Sequence, residues 1–232
     1  MPFYVKAGEV PPKRHTTFYN PDTQKLYREE LFSTKGFSGI YTNKYHINIP
    51  AGIVRMQELE MPSEMLLDEP AVTYLHFLTD KHPSTGDFIT ARRTYLQNRD
   101  CVISTAHVTQ QSDKLFRNST YSELVFVHHG SGTLHTEYGD IPFEKYDYLV
   151  IPKGVIHNYE FDDTDKVKLL IIESSTPFEI PKHYRNEYGQ LTEDAPYYER
   201  DFRVPQFAGA VDKKGEFSIV VKARGRWYEH ML

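Results

Sequence analysis

Residues 116–161 read FRNSTYSELVFVHHGSGTLHTEYGDIPFEKYDYLVIPKGVIHNYEF, and their pattern is the strongest indication of the fold in the sequence. Apolar and polar residues alternate through short β-branched and aromatic runs, which Gly, Pro, Asn and Asp separate. The tight turn around Pro152, Lys153 and Gly154 reverses the chain and aims an inward side chain of the next strand, His157, into a barrel. The stretch therefore predicts short β-strands around a closed core, with one histidine pointing into it.

The same period of two continues on both sides of this stretch. Between residues 39 and 174 further strand candidates follow one another, among them YTNKYHINI, AVTYLHFLT, ARRTYLQN, CVISTAHVT and VKLLIIES. Many short strands with turn signals between them favour a sandwich or barrel over a doubly wound α/β fold. We predict a mostly β chain with a jelly-roll-like β-barrel over residues 39–174, an N-terminal arm over 1–38, and an irregular connection with final strands over 175–232.

The two flanking regions carry predictions of their own. In the arm, TQKLYREELF (23–32) is rich in helix-forming residues and predicts a short helix that ends near Gly36. One helical turn is expected around HYRNEYG (183–189), and FSIVVKARGRW (217–227) is a strand candidate. Because an exposed sheet edge is usually covered or paired, we expect this last strand to meet either another subunit or a continuation of the polypeptide.

Composition excludes several classes of partner. The 27 basic and 32 acidic side chains give a net charge of -5, and no basic patch or RNA-reading motif is present, which argues against nucleic acid. The single cysteine, Cys101, excludes an internal disulfide and fits a reducing cytosol. No run of roughly 18 apolar residues predicts a membrane span. We therefore expect a cytoplasmic protein without a membrane segment.

The stretch 116–161 resembles the two-part signature of the cupin barrel. In that family a first motif, H-x-H-x4-E with a glycine seven positions after the glutamate, is followed by a second, P-x-G-x-x-H. Here Glu123 stands seven positions before Gly130, and Pro152, Gly154 and His157 complete the second motif. The resemblance implies a cupin fold in which these motifs face the barrel interior.

The first motif is where this chain departs from the cupin pattern. Its two histidine positions hold Phe116 and Asn118; phenylalanine cannot ligate a metal, and a neutral amide oxygen is a poor ligand for Fe(II) or Zn(II). One carboxylate and one imidazole remain, fewer than the three protein ligands of a catalytic zinc or a non-haem iron site. We predict no catalytic, cofactor-binding or metal-binding residue here, and interpret Asn118, Glu123 and His157 as vestigial cupin-site candidates, hydrogen-bonded in or near the barrel mouth.

Other histidines leave a rearranged metal site open as an alternative. His128 and His129 precede Gly130 at a turn, where at most one points inward, and His135 lies on the next strand. The remaining candidates are isolated in arm or strand sequence and indicate no site: His15, His46, His76, His107 and Cys101.

Motifs outside the barrel signature narrow the resemblance to one family. The N-terminal elements KRHT (13–16), EELF (29–32) and GFSG (36–39) resemble the opening of homogentisate 1,2-dioxygenases of the shorter bacterial type. The pieces EIP (179–181), YRNEYGQL (184–191) and ERDFRVP (199–205) are similar to the same family. The resemblance runs from about residue 10 to the end and covers the family's N-terminal cupin domain.

This resemblance implies a specific activity for the whole enzyme. The family uses non-haem Fe(II) and O2 for an extradiol-type cleavage of homogentisate to maleylacetoacetate, in tyrosine and phenylalanine catabolism. Its iron ligands belong to a second, C-terminal cupin domain, so none of them can be carried over to this sequence. The resemblance thus implies that this chain alone lacks the iron site and the activity. It also implies a homo-oligomer, a trimer or a dimer of trimers, and we expect the arm and residues 175–212 at its interfaces.

Two further interpretations stay open. A stand-alone cupin module that binds small molecules or serves assembly predicts a filled or closed barrel mouth. A divergent cupin enzyme requires Glu123 and His157 to converge in an accessible pocket, with their own metal or with metal-free acid/base chemistry.

Overall fold

The computed structural model describes residues 18–50, 52–61, 74–81, 83–209, 211, 213 and 215–232. In that part of the chain there are fifteen strands and three short 3-10 turns. The strands are β1 (Arg28–Lys35), β2 (Ser38–His46), β3 (Arg55–Leu59), β4 (Thr85–Gly86), β5 (Arg92–Gln97), β6 (Cys101–Val108), β7 (Leu115–Asn118), β8 (Ser122–His129), β9 (Gly132–Thr136), β10 (Gly139–Phe143), β11 (Tyr148–Ile151), β12 (His157–Phe161), β13 (Val167–Ser174), β14 (Ser218–Ala223) and β15 (Arg226–Met231). No helix in these residues is long and apolar enough to cross a membrane.

Two sheets enclose the core. Among the described residues, one sheet has seven strands in the order β10-β9-β12-β7-β14-β15-β3, and the other has the order β11-β8-β13-β6-β4 with β5 also paired to β6. One hydrophobic cluster takes side chains from both sheets, including Phe116, Leu134, Tyr159, Val125, Leu169 and Ile171. The predicted mostly β sandwich is confirmed. The division into segments ending at 38 and 174 stays a prediction.

Strand β13 shows how the sequence positions a polar group inside this core. Its residues alternate between buried and half-buried along the whole strand. The buried positions are Val167, Leu169, Ile171 and, in the same phase, Glu173. Burial of an aliphatic side chain of this size contributes about 1.5–3 kcal/mol, so the apolar positions fix which face points inward. The carboxylate of Glu173 is thereby carried into the interior.

The predicted helix at 23–32 is wrong. From Arg28 the chain is extended and pairs with β2, from Arg28 opposite His46 to Lys35 opposite Ser38, and Gly36 makes the reversal with φ +59°. The partner strand is rich in Ile, Tyr and Thr, and the Phe32 ring packs against the core. Pairing and packing override the helix propensity of the polar residues, as tertiary context often does.

The C-terminal run is a hairpin rather than one strand. Strands β14 and β15 are joined at Arg224 and Gly225, both with positive φ. Strand β14 lies parallel to β7, and β15 pairs on its other side with β3. Both strands of this run are therefore paired inside the chain, and contact of this region with another subunit or with further polypeptide stays a prediction.

Two smaller predictions have different outcomes. The strand candidate AVTYLHFLT is wrong where it is described: residues 74–78 have no regular structure, 79–81 form a 3-10 turn, and 71–73 lie outside the described residues. Its apolar side chains are exposed and the run has no ladder partner there, so alternation alone does not make a strand. The helical turn expected near HYRNEYG is present as a 3-10 turn over Lys182–Tyr184.

The turn before His157 is formed as its sequence predicts. Gly154 has φ +93°, a conformation that side chains with a Cβ rarely adopt, and its N–H donates to the Asn118 carbonyl at 2.8 Å. A Cβ at Gly154 would lie 3.1 Å from the Phe32 ring of the hairpin. The turn therefore starts β12 at His157 and gives the β1–β2 hairpin a surface to pack on.

Candidate functional site

The three vestigial-site candidates lie inside the barrel. Asn118 at the end of β7, Glu123 near the start of β8 and His157 at the start of β12 are 3%, 1% and 1% exposed. The amide Nδ2 of Asn118 donates to Glu123 Oε1 at 3.0 Å. Nδ1 of His157 lies 3.1 Å from the Val155 carbonyl, and Phe116 is opposite His157 in the β7–β12 register. The structure thus brings Asn118 and Glu123 into direct contact, with no hydrogen bond from either to His157.

An arginine outside the predicted set binds Glu123. From the first residue of β5, Arg92 donates through its two terminal nitrogens to the two carboxylate oxygens of Glu123, at 2.7 and 3.0 Å. The same guanidinium lies 3.7 Å from Glu173 and 4.7 Å from the centre of the Phe116 ring. This is a planar, bidentate pair with an aromatic ring beneath the cation, a geometry for which arginine is better suited than lysine.

A second buried pair adjoins the first. Lys222 of β14 donates to Glu173 Oε2 at 2.9 Å, and its ammonium lies 5.3 Å from the centre of the Trp227 ring. Asn118 connects the pairs, because its Nδ2 donates to Glu173 Oε1 as well as to Glu123. We call these five residues the ion-pair cluster: Arg92, Asn118, Glu123, Glu173 and Lys222. Two cations face two carboxylates, so the cluster is formally neutral.

The two departures from the cupin motif are explained by this cluster. Phe116 lies against the guanidinium, and Asn118 supplies donors to both carboxylates while its own Oδ1 accepts the backbone N–H of Thr120 and of Tyr121 at 3.1 and 2.9 Å. Those two backbone bonds fix which end of the amide faces the carboxylates. Both positions therefore suit an organic cation rather than a metal ion.

Electrostatics keep the Arg92–Glu123 pair ionised. Burial acts to raise the pKa of Glu123, but the charge and hydrogen bonds of Arg92 more than offset it and lower that pKa to about 2. Burial likewise acts to lower the pKa of Arg92, and the carboxylates of Glu123 and Glu173 raise it further above its usual value. Glu123 is thus a permanent carboxylate near neutral pH and is unsuited to proton transfer there.

His157 and Tyr159 remain neutral beside the cluster. Burial lowers the pKa of His157, although the nearby Glu123 acts in the opposite direction. Burial and then Glu123 raise the pKa of Tyr159 above its usual range. Because a carbonyl only accepts, Nδ1 of His157 carries the proton. Within the part of the chain that the structure describes, neither Nε2 of His157 nor the Tyr159 hydroxyl has a hydrogen-bond partner.

One cavity lies beside the barrel core rather than at the cluster. It has a volume of about 420 Å³ and is bounded by the β1–β2 hairpin on one side and by core residues such as Leu134 and Ile151 on the other. Neither Glu123 nor His157 lines it. The two residues that a divergent cupin enzyme would use are therefore closed off from this cavity.

The other sequence candidates form surface pairs. His135 bonds to Asp140 and Glu160 at 2.8 and 3.0 Å, His46 to Glu30 at 2.9 Å, and His107 lies 3.6 Å from Asp80. The rings of His128 and His129 contact each other, and both residues are exposed on β8. His76 is exposed, Cys101 is half-buried, and His15 lies outside the described residues.

Comparison with known families assigns the chain. A family described as "Homogentisate 1,2-dioxygenase N-terminal" matches residues 73–232, which is well over half of the sequence. The chain belongs to this family. The resemblance to this family, predicted from the motifs within residues 13–39 and 179–205, is thereby confirmed.

A curated relative matches more of the chain than the family comparison does. The Saccharolobus solfataricus protein named "Putative dioxygenase SSO1533" is 36% identical over 225 residues, covering 96% of this chain and 56% of that protein. The chain therefore spans about half the length of the curated relative it matches.

Solved structures give weaker likenesses. A cupin-2 domain containing protein from Shewanella frigidimarina matches with 21% identity and a TM-score of 0.29, over 36% of this chain and 78% of that one. The cupin domain of Schizosaccharomyces pombe Cnp3 matches with 8% identity and a TM-score of 0.33, over 36% and 59%. BH2720 from Bacillus halodurans has 17% identity and a TM-score of 0.37, over 50% and 89%. These likenesses say nothing about activity.

The donor set inside the barrel does not fit the Fe(II) that this family's activity implies. Both oxygens of Glu123 are bound by Arg92, and Glu173 is shared between Lys222 and Asn118. A permanent guanidinium at this place repels a second cation and cannot be deprotonated to make room for one. Across the described ranges, no three His, Cys, Asp or Glu side chains are grouped to hold a metal ion.

Sequence reasoning missed Arg92, Glu173 and Lys222, although a signal existed. Glu173 and Lys222 fall on the same phase as the buried Ile171 and Val220 of their strands. The sequence does not show which positions point inward, because the residues between them are apolar as well, as in the run Leu169 to Ile172. A charged residue in the inward phase of one strand requires an opposite charge on another, and that requirement would have found the pairs.

Proposed function

We propose that this chain is the N-terminal cupin domain of an Fe(II)-dependent homogentisate 1,2-dioxygenase, and that it has a structural rather than a catalytic role in that enzyme. In the whole enzyme, O2 would open the ring of homogentisate to give maleylacetoacetate, in tyrosine and phenylalanine catabolism. Family membership and the dioxygenase name of the relative support the enzyme class. The observation that carries the structural role is the ion-pair cluster, in which Arg92 binds the carboxylate of the first cupin motif.

The residues of this chain would act by holding the two sheets in register. The cluster joins β5, β8 and β13 of one sheet to β7 and β14 of the other. Buried ion pairs add little net stability, but they strongly disfavour arrangements that leave one charge unpaired, and so they select one packing of the sheets. Glu123 stays ionised and His157 neutral, so neither moves a proton at neutral pH. The iron, in this proposal, is held by another part of the enzyme.

A test separates the two roles within the enzyme that contains this domain. We expect the variants His157→Gln and Tyr159→Phe to keep the iron content of the enzyme, and to keep kcat for oxygen uptake on homogentisate within about threefold, a factor worth less than 1 kcal/mol. Iron is measured by elemental analysis and turnover with an oxygen electrode. Loss of iron in a folded His157→Gln variant would contradict the proposal, because it would make His157 a ligand.

The two alternative functions, an acid/base enzyme and a small-molecule-binding module, differ in how well the structure supports them. An acid/base enzyme built on Glu123 and His157 needs both side chains in an accessible pocket, whereas each is 1% exposed and neither lines the cavity. A small-molecule-binding role is favoured by one specific observation, the 420 Å³ cavity under the hairpin. This second role is compatible with the first.

Assembly and location complete the proposal. We propose a cytoplasmic homo-oligomer, a trimer or a dimer of trimers, in which the arm and residues 175–212 contribute to interfaces. Exposed aromatic side chains in the hairpin and in the second segment support this, among them Phe37, Tyr41, Tyr188, Phe202 and Phe207.

A further inference from the structure

One outer face of the sandwich is apolar. Side chains alternate along a strand, so in β13 the core positions Leu169 and Ile171 are followed by Leu170 and Ile172, which point away from the core. The neighbouring strands β8 and β6 have the same pattern around their buried positions. A strand that is apolar in both phases is typical of a sheet that is covered on both faces.

The strand register arranges the outward side chains in two rows. The first row crosses the sheet from β11 to β5 with five aliphatic residues, each directly opposite the next: Val150, Leu124, Ile172, Ile103 and Leu96. The second row lies beside it and contains two rings and one aliphatic residue: Tyr148, Phe126 and Leu170. We call these eight residues the outer apolar face. Its margins are exposed, since Val150 is 51%, Leu96 50% and Tyr148 66% accessible.

The outer face of the other sheet has a different composition. Across β10, β9 and β12, the residues that lie opposite one another are Asp140, His135 and Asn158. The imidazole of His135 bonds to Asp140 at 2.8 Å and to Glu160 at 3.0 Å. Such polar rows are usual where a sheet faces water. The aliphatic row therefore belongs to one sheet alone, and contiguous apolar surface of this kind marks a contact site.

Polar residues border the outer apolar face. Beyond its second row, Lys168 lies opposite His107 and forms an ion pair with Asp80. Beyond its first row, Ser174 lies opposite Cys101. An apolar centre inside a polar rim is the usual arrangement of a protein–protein interface.

The size of this surface fits a second copy of the chain. The strands β6, β8 and β13 have eight residues each. With a spacing of about 4.8 Å between five strands and about 3.3 Å between residues, the sheet face covers roughly 600 Å² before the relief of the side chains is added. A stable interface of standard size takes about 800 Å² of accessible surface from each partner. The outer apolar face and its rim thus supply nearly the area that a dimer needs.

The order of the side chains also suits a second copy. In a two-fold dimer both partners present the same surface, and a residue on the axis meets itself. Ile172 is at the centre of the first row, Leu124 and Ile103 are on either side, and both ends are aliphatic. The row has the same chemistry from either edge of the sheet, so it is complementary to its own copy and brings no charge into the contact.

We propose that the outer apolar face is a two-fold interface between two copies of this chain, with Ile172 of one copy against Ile172 of the other. The two sheets pack face to face, about 10 Å apart. This interface is separate from the arm and from residues 175–212, and it does not depend on dioxygenase activity.

Charge at the centre of the row tests the two-fold axis directly. Ile172→Lys places two ammonium groups against each other, so we expect the dissociation constant of the dimer, measured by sedimentation velocity, to rise at least 100-fold. Ile172→Glu should have the same effect. An equimolar mixture of the two variants should associate again, within about tenfold of the wild-type constant, because each dimer then pairs opposite charges.

A second substitution and a control separate loss of contact from loss of fold. Val150→Glu, at the exposed margin of the row, should weaken the dimer at least tenfold. Met56→Glu adds the same charge at a residue that is 62% exposed on β3 of the other sheet, and it should leave the dimer unchanged. Near-ultraviolet circular dichroism and melting temperatures establish that each variant is folded.

Each contrary outcome overturns the proposal. Equal association of the wild type and folded Val150→Glu would mean that another partner, such as another part of a longer enzyme, covers the outer apolar face. A mixture of folded Ile172→Lys and Ile172→Glu that stays dissociated would exclude the two-fold axis. If Phe37→Ser weakens association and the Ile172 and Val150 variants do not, the oligomer proposed above stands and this interface is wrong.

Discussion

At the scale of single residues, Arg92 determines what the interior of this barrel can do. Its guanidinium presents five donors in a fixed plane and keeps its charge at every relevant pH. Glu123 accepts two of these donors, and Phe116 provides the aromatic face below. Glu123 and Phe116 thus both match the geometry of a planar organic cation. A metal ion would require different neighbours, namely imidazole and carboxylate groups that are free to act as its ligands.

Removal of one partner from the Arg92–Glu123 pair should be strongly destabilising. Glu123→Gln keeps the shape but leaves the buried guanidinium without its main counter-charge. We expect the free energy of unfolding to fall by about 3–5 kcal/mol, measured by urea denaturation at pH 7.

The matched control for this substitution is an exposed pair on the same protein. Glu58 lies 3.7 Å from Arg226, and both side chains are largely exposed. Glu58→Gln should change the free energy of unfolding by less than about 1 kcal/mol. Equal effects of the two substitutions would show that Arg92 does not depend on Glu123.

His157 should make the fold sensitive to mild acid. Its folded-state pKa is lowered from 6.5. Between the two pKa values the unfolded state therefore binds a proton at His157 that the folded state does not bind. Its contribution to stability is complete above pH 6.5 and is lost as the pH falls towards the lowered folded pKa. Urea denaturation between pH 7.5 and 5.5 should show a shallower loss of stability for His157→Gln, by up to about 1.4 kcal/mol per pH unit. Parallel pH profiles for wild type and variant would contradict this.

At the scale of elements, the β1–β2 hairpin depends on contacts outside itself. An isolated two-stranded hairpin is marginally stable, and this one adds the Lys44 bridge to Glu137 and the packing of Phe32 on the core. Its polar, helix-favouring sequence predicted the wrong element because these contacts lie far away in the chain. Strands β8, β9, β11 and β12 were predictable, because their alternation and turn residues are local.

Loss of the Lys44 bridge should loosen the hairpin without unfolding the barrel. In Lys44→Ala, backbone amides of residues 28–46 should exchange with solvent at least tenfold faster, while those of β8 and β13 keep their protection. Hydrogen exchange followed by mass spectrometry measures both regions in one sample. Lys35→Ala, at the exposed end of the same hairpin, serves as the control and should leave exchange unchanged. Equal exchange in the two variants would show that the bridge does not hold the hairpin.

At the scale of the whole molecule, the sequence predicted the architecture better than the site. Asn118, Glu123 and His157 were predicted as interior positions by motif spacing, and they are interior. The partners of Glu123 and Asn118 come from other strands, namely Arg92 of β5 at 31 residues from Glu123 and Glu173 of β13 at 55 residues from Asn118, and no local pattern links such pairs. The parallel insertion of β14 beside β7 is likewise invisible to local alternation. Pairing between strands that are far apart in the chain is the feature that a single amino-acid sequence shows least.

Assembly is a second property of the whole molecule. With so many exposed aromatic residues in the hairpin and in 175–212, we expect light scattering to report an oligomer, a trimer or its dimer. A Phe37→Ser variant removes a ring that is 98% exposed and should weaken assembly without loss of stability. A strict monomer, even at high concentration, would contradict the proposed oligomer.

We propose that this barrel holds an organic ion-pair cluster at the place where a cupin enzyme holds a metal ion. The most direct measurement is the iron content of the purified chain after anaerobic incubation with Fe(II) and gel filtration, together with oxygen uptake on homogentisate. We predict iron far below one equivalent per chain and no ring cleavage. One iron per chain with turnover of homogentisate would contradict this proposal.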